Sequence, residues 1–447
     1  MSSKVQDMTS GSPARLIMLF AIPLMLGNIF QQLYTMVDTI VVGQIVGVQA
    51  LAALGAVEWV MWLVLGVASG MTQGFSILIA QYYGAREIKD LKKALAHSYI
   101  LTAILAAAVL VVSQAGAYGL LRFLNTPENI IGMSMSYLRV VFCGIPMIAA
   151  YNIFASALRA MGNSKTPLTA MILAAIINVI LDILFVAQFH MGVAGAAAAT
   201  VIAQSFSAVY CFLVLRKINI VKLEKSHFSK DTVLDKKLLK LGTPIVFQNV
   251  IIAVGGLVVQ YVVNGYGFLF VAGFTATNKL YGLLEMAAIS YGYAIVTYVG
   301  QNLGAKRPDR IKKGVRASAV IAAITSAVIS VVMIFWGKTI LSLFISGGPK
   351  QTQQVLEIAY RYLFIMACFL WILYFLYVYR SALQGLGDTV IPMMSGVAEF
   401  VMRVGVALLL PLAMGENGIF YAEITAWTGA AVLLAVNYYR RVKTLFT

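Results

Sequence analysis

Residues 156–167 read Ser-Ala-Leu-Arg-Ala-Met-Gly-Asn-Ser-Lys-Thr-Pro, and residues 381–392 read Ser-Ala-Leu-Gln-Gly-Leu-Gly-Asp-Thr-Val-Ile-Pro. The same order of small, glycine, amide-or-acid and proline positions occurs once in each half of the chain. Two further pairs keep similar spacing. Pro23–Asn28 (PLMLGN) matches Pro244–Asn249 (PIVFQN), and Gln81-Tyr-Tyr-Gly-Ala-Arg matches Gln301-Asn-Leu-Gly-Ala-Lys. Glycine-alanine turns recur in many membrane chains, but chance recurrence would not hold one spacing at three places. The pattern predicts two homologous halves.

Composition says what the halves are made of. The 447 residues are 61% hydrophobic and 11% charged, whereas soluble domains average roughly 45–50% apolar and about 25% charged. So few charges cannot solvate the surface of a water-soluble fold. Apolar runs of about 20 residues recur, the length that crosses ~30 Å of hydrocarbon. They predict spans near 15–46, 50–82, 95–117, 133–160, 166–188, 192–215, 241–264, 270–301, 315–337, 353–383, 389–413 and 418–439. The expected fold is therefore an all-α membrane protein of twelve transmembrane helices in two pseudo-symmetric six-helix bundles. Residues 1–215 form the N-lobe, 216–240 a basic cytoplasmic linker and 241–447 the C-lobe. Six spans per half make both halves enter from the same side, so the repeats are parallel, related by an axis along the membrane normal. Two bundles around a central cleft suit alternating access.

The net charge of +16 raises nucleic acid as a partner. The distribution argues against it, because the basic residues sit in alternating loops rather than in one patch. Arg86, Lys89, Lys92 and Lys93, the Lys-rich stretch from Arg216 to Lys240, the group from Lys306 to Arg316, and Arg440, Arg441 and Lys443 all fall on one side; Arg122, Lys338 and Lys350 fall on the other. The excess of Lys and Arg marks the cytoplasmic side, which places both termini in the cytoplasm. Cys143, Cys211 and Cys368 lie in apolar runs, which argues against a disulfide framework or a zinc site. His97, His190 and His227 are scattered. Met1 to Ala14 is polar and lacks the apolar core of a cleaved signal peptide. No P-loop, His-Glu metal motif or Ser-based dyad is present, so neither an enzyme nor an ATP-driven pump is expected, and no cofactor.

Ionisable groups inside a bilayer are costly and are functional candidates by default. Asp38 lies in the first span, Asn178 and Asp182 in the fifth, Thr200 in the sixth. Asn178 and Asp182 are four apart and share one helix face. Two carboxylates, an amide and a hydroxyl make an all-oxygen set of the kind hard cations prefer, and two nearby carboxylates can also share a proton. The competing reading is that each polar group bonds a neighbouring helix as structural glue. In the second half, Glu399 and Arg403 are an i,i+4 pair suited to mutual neutralisation. Glu285 has no basic residue near it on its own face, so it is the better candidate to meet a cationic substrate. Tyr34, Met36, Trp59, Met61, Trp62, Tyr281, Met286, Tyr291 and Tyr293 supply ring faces and polarizable sulfur that suit flat cations, although packing explains most such residues singly. Pro23, Pro146, Pro244 and Pro392 fall within or near the starts of spans and permit kinks.

These motifs together resemble the multidrug and toxic compound extrusion (MATE) transporters over nearly the whole chain. The resemblance rests on the six-plus-six layout, Pro23 with Asp38 after it, the Gln-x-x-Gly-Ala helix ends and the Ser-Ala-Leu…Gly-[Asn/Asp]…Pro segments; it points to the bacterial MepA-like branch. It implies that Asp38, Asn178, Asp182 and Thr200 form the coupling site for Na+ or H+, and are metal ligands if the ion is Na+. It implies that Pro23 is a hinge, and that Glu285, with Tyr34 and Met286, handles substrate. It further implies a monomer in the bacterial plasma membrane that exports small cationic amphipathic drugs or dyes by antiport. Some relatives instead place acidic coupling residues in the seventh and tenth helices; here the seventh has none and Arg380 is the only charge deep in the tenth. A lipid-linked oligosaccharide flippase of the same superfamily is the alternative, and its anionic head group would call for an arginine-lined cavity. A channel is disfavoured by the repeat.

Overall fold

The repeated segments fold alike, and their folding explains their residues. In the first half the Gly162 amide donates to Arg159 O (2.8 Å) and the Asn163 amide to Leu158 O (2.9 Å). In the second half Gly387 donates to Gln384 O (2.8 Å) and Asp388 to Leu383 O (3.0 Å). These paired bonds are the helix-ending motif that needs a left-handed residue after the helix. Gly162 (φ 85°) and Gly387 (φ 82°) supply it without a Cβ penalty. The next residue then starts the following helix: Asn163 Oδ1 accepts from the Thr166 amide at 3.0 Å, and Asp388 Oδ1 from the Ile391 amide at 3.2 Å. Glycine followed by a short oxygen-bearing side chain is thus one device used twice. The Gln-x-x-Gly-Ala-[Arg/Lys] repeats also match, since Arg86 (φ 60°) and Lys306 (φ 54°) both take the left-handed conformation.

The structure, a computed structural model, describes residues 6–124, 126–343, 345 and 349–445. The first five residues of the polar start expected in the cytoplasm lie outside them. All regular structure among the described residues is helical. The first half contains α1 (Pro13–Ile45), α2 (Val48–Ala85), α3 (Ile88–Phe123), α4 (Glu128–Cys143), α5 (Ile145–Ala160), α6 (Lys165–Asp182) and α7 (Gly192–Arg216). The second contains α8 (Thr232–Asn264), α9 (Phe268–Gly304), α10 (Pro308–Ser342), α11 (Pro349–Gly385), α12 (Val390–Leu409), the short α13 (Pro411–Met414) and α14 (Ala422–Leu445). Ten helical stretches are long and apolar enough to cross a membrane, or eleven with α4 and α5 taken as one bent span. One of these stretches, residues 390–444, contains both α12 and α14, so reading it as two spans gives the expected twelve.

Several boundaries differ from expectation for local reasons. The span expected at 133–160 is broken at Gly144, where α4 and α5 meet at 49°. Pro146, in the first turn of α5, cannot donate back into α4. The span expected to run to residue 188 ends its α-helix at Asp182 and continues as a π-helix, Ile183–Gln188. α3 starts at Ile88, well before residue 95, because Leu91, Ala94 and Leu95 are buried and hold the extra turns on the protein. The basic linker expected over 216–240 is shorter, since α8 begins at Thr232.

The chain forms two compact units, one mainly Ile22–Asn249, the other mainly Val250–Leu303 and Arg307–Thr447. In the first, α2 packs on α3 and α5 around Phe75, Ile79, Leu95, Ile153 and Leu158, all buried. Gly74 lies so close to Gly242 that a Cβ on it would overlap the neighbouring backbone. The linker is tied to α3: His97 Nδ1 lies 2.7 Å from Asp235 Oδ1, His97 Nε2 lies 3.0 Å from Ser229 O, and Lys93 Nζ lies 3.8 Å from Asp231 Oδ2. In the second unit, α10 packs on α11 and α12 on α14, with a buried ring stack of Phe274, Tyr362, Phe420 and Phe270.

Candidate cation and substrate sites

α6 and α7 can hold short polar side chains together because their facing residues are small. Ala170, Ala174, Ala199 and Ala203 are buried, and Ser207 Oγ donates to Ala170 O at 3.2 Å. Small residues let backbones approach closely, and buried polar side chains then meet across the seam. Here Thr200 Oγ1 donates to Asp38 Oδ2 at 3.2 Å, and Asn178 Nδ2 reaches Thr200 Oγ1 at 3.5 Å. Asp182 faces Asp38 within interaction range. The four residues of the expected coupling set therefore lie together, drawn from α1, α6 and α7, with Asp38, Asn178 and Asp182 all buried.

The set is under-bonded. Asp38 Oδ1, Asn178 Oδ1 and both oxygens of Asp182 are buried with no hydrogen-bond partner among the described residues. Neither carboxylate makes an ion pair with a base there. Two like charges about 4 Å apart repel by roughly 4 kcal/mol at an effective dielectric of 20. Two adjoining carboxylates avoid this repulsion when a cation lies between them or when one of them is protonated, and the buried acceptors suit either. The π-helix starts immediately after Asp182, and π segments of this kind occur mostly at functional sites.

Tyr34 stands one turn before Asp38 on α1, buried against Met171 and Ala175 and bonded to Gln204 Nε2 at 3.0 Å. It therefore belongs to the neighbourhood of the acidic cluster. Tyr137 of α4 lies within electrostatic range of Asp38 and Asp182 as well. Sequence reasoning missed Gln204 and Tyr137; the i,i+4 relation of Gln204 to Thr200 was the available signal for the first.

In the second unit, Glu285 on α9 accepts a hydrogen bond from the Tyr377 hydroxyl at 2.8 Å, and Tyr281 lies within hydrogen-bonding range. Tyr281 stacks on the buried Trp427 at 5.7 Å. The Glu285 side chain is partly buried and makes no ion pair among the described residues. Met286 follows it and is partly buried. Pro23 lies inside α1, which continues through it as one helix. Trp62 is 64% exposed, so it does not contribute to a packed site.

The expected Glu399–Arg403 pair is part of a longer chain. Arg380 of α11 binds Glu399 directly, Glu399 lies 4.0 Å from Arg403, and Arg403 binds Glu423 of α14 at 2.8 Å. The shorter contacts run between helices, because an i,i+4 pair on one helix leaves each head group free to reach across. Arg380 also donates to Ser395 Oγ at 3.3 Å. Both buried guanidiniums are thereby matched by carboxylates.

Ten to twelve apolar helices among the described residues, with buried carboxylates that make no ion pair there, point to a membrane transporter. The MatE family model matches residues 23–184 and 244–409, once in each half, and the chain belongs to this family. It is a transporter and not an enzyme. Among its relatives is the probable multidrug resistance protein YoeA of Bacillus subtilis, 30% identical over 80% of this chain and 78% of that one. The multidrug export protein MepA of Staphylococcus saprophyticus is 20% identical over 92% and 89% of the two chains. A crystal structure of MATE in complex with MaL6 has the same fold, with a TM-score of 0.93 at 22% identity over 99% of each chain.

Proposed function

We propose that this chain is a secondary active antiporter that exports small cationic amphipathic drugs or dyes across a bacterial plasma membrane, driven by inward movement of Na+ or H+. The observation that carries the reading is the under-bonded acidic cluster. Asp38 and Asp182, with Asn178 and Thr200, bury four acceptor atoms that lack protein donors, an arrangement that is stable once a cation or proton occupies it. Names such as multidrug resistance protein and multidrug export protein among the relatives support the drug class.

Loading the cluster from outside favours one conformation of the N-lobe and drug favours another; coupling requires that difference in affinity between states. Pro23 removes a hydrogen bond from α1 above the site and serves as the hinge. Glu285, an acid with tyrosine hydroxyls and no base as its bonding partners, meets the cationic head of the substrate, and Tyr34 and Met286 provide apolar contact. The two lobes correspond to the two halves of the chain, both termini are cytoplasmic, and the working unit is a monomer. The flippase alternative lacks support, since Arg380 and Arg403 are already matched by Glu399 and Glu423.

Ethidium efflux from proteoliposomes, with a sodium gradient or a pH gradient imposed one at a time, tests this. Acceleration by one gradient alone is expected and names the ion. Efflux indifferent to both, from folded protein, refutes antiport.

A further inference from the structure

Both ring nitrogens of His97, on α3, face oxygens of the linker and of α8 that act as acceptors. Nδ1 lies 2.7 Å from Asp235 Oδ1, and Nε2 lies 3.0 Å from the Ser229 carbonyl. The ring is buried, with 3% of the side chain exposed. A neutral imidazole carries one N–H and one bare nitrogen, whereas an ionised carboxylate and a backbone carbonyl only accept. A neutral ring can therefore satisfy one of these contacts and turns a lone pair toward the other. The observed arrangement needs an N–H toward Ser229 and a further proton between Nδ1 and the carboxylate. Whichever of those two atoms carries that proton, the docked pair holds one proton more than a neutral ring and a separate carboxylate.

We infer that His97 is a proton-operated latch, which fastens the linker segment Ser229–Asp235 to α3 when it takes up one proton and releases it when that proton is lost. Free imidazole gives up its proton near about pH 6.5. Above that pH the released segment has lost the proton and the docked one holds it, so the docking equilibrium falls by up to about tenfold per pH unit; below it the docking is at its strongest. Val221, Leu234 and Leu238 pack with Leu91, Ala94 and Leu95 in one buried cluster. This apolar contact does not titrate and keeps the released segment close. The linker is on the Lys-rich side read above as cytoplasmic, so the latch responds to cytoplasmic pH.

The neighbouring groups do not reproduce this response. Lys93, on α3, pairs with Asp231 at 3.8 Å, and that carboxylate lies within electrostatic range of the His97 ring, where it favours the charged form. Tyr82 of α2 lies within electrostatic range of Asp231, and a phenol, like the ammonium groups of Lys222 and Lys225 beside the short linker turns that pack on α3, titrates near about pH 10. Arg159 of α5 stays charged throughout. His227 Nδ1 accepts from the Glu224 amide at 2.9 Å. That bond needs a bare nitrogen, so it is lost as pH falls, with the opposite sign.

The test needs no transport, so it stands or falls apart from the antiport reading. Hydrogen exchange of the Ser229, Leu234 and Asp235 amides is measured on the purified full chain in detergent from about pH 6 to about pH 8, and each rate is corrected for its intrinsic pH dependence. In the wild type, protection of these amides is expected to fall by up to about tenfold per pH unit above about pH 6.5. His97→Gln puts a non-titrating amide at the position and is expected to make protection independent of pH over this range. Asp235→Asn keeps the histidine: its amide donates to a bare Nδ1 and leaves Nε2–H for Ser229, so docking takes up no proton and protection is again flat. This second variant decides the matter if His97→Gln folds poorly. Flat protection in the wild type, or the wild-type slope retained in either folded variant, would overturn the inference.

Discussion

Thr200 donates to Asp38 across 162 residues of sequence, at 3.2 Å, and leaves the second oxygen of that carboxylate without a donor. The bond fixes the direction of the carboxylate and leaves acceptor capacity for an ion. Thr200→Val keeps the shape and removes the hydroxyl. Such a loss is expected to weaken ion activation of efflux about tenfold, on the order of 1.4 kcal/mol, whereas Thr200→Ser stays near wild type. Titrating the driving ion in proteoliposomes measures both, and equal behaviour of the two variants would show that the hydroxyl does not serve the site.

Glu285 accepts from the Tyr377 hydroxyl and makes no ion pair among the described residues, which under the proposed function leaves it to a cationic ligand. Glu285→Gln is expected to weaken ethidium binding at least tenfold and to leave binding of a neutral dye of similar size unchanged. Fluorescence titration of the purified protein decides it; equal loss for both dyes would indicate a shape defect rather than a lost charge.

The buried chain Arg380–Glu399–Arg403–Glu423 makes a stability prediction. Removing one member of a buried ion pair strands its partner and typically costs about 3–5 kcal/mol, whereas replacing both members with apolar residues is often neutral. Glu399→Leu is therefore expected to lower the melting temperature in detergent markedly, and Arg380→Met combined with Glu399→Leu to recover part of the loss. A double variant no more stable than Glu399→Leu would show that Arg380 is not the stranded partner.

Asp231 starts α8 at the end of the linker. The Leu234 amide, which it binds at 3.0 Å, and the Lys93 ammonium nearby hold its carboxyl below the usual carboxylate range. A lowered folded-state pKa contributes stability above the unfolded value, about 3.9, and that contribution disappears as pH falls through the folded value. Asp231→Ala should therefore speed hydrogen exchange of the first α8 amides at neutral pH, with the difference from wild type shrinking as the pH falls through the lowered folded-state value. A difference independent of pH would contradict the assignment.

Much of this was legible in the sequence because it is carried by local pattern. Apolar length gave the spans, and the paired Gly162-Asn163 and Gly387-Asp388 segments gave the two halves before their helix-ending bonds were seen. Asp38, Asn178, Asp182 and Thr200 stood out because ionisable and amide groups are rare inside apolar runs. What escaped was whatever depends on meetings between helices. Gln204 and Tyr137 look like ordinary polar or amphipathic residues until α1, α4 and α7 are brought together. Tyr377 carries no signal that it will face Glu285. Arg403 was paired with its own-helix neighbour because sequence spacing displays i,i+4 relations and hides Glu423. The break at Gly144 and the π-helix after Asp182 were hidden for a related reason: apolar composition sets the length of a span without fixing its hydrogen-bond register.

The proposed antiport requires the driving ion to be loaded at the acidic cluster. The most direct test is gradient-driven ethidium efflux from proteoliposomes carrying Asp38→Asn at expression and melting temperature equal to wild type. The account predicts ethidium binding close to wild type and no acceleration by either a sodium or a pH gradient. Gradient-driven efflux at the wild-type rate from that variant would contradict it.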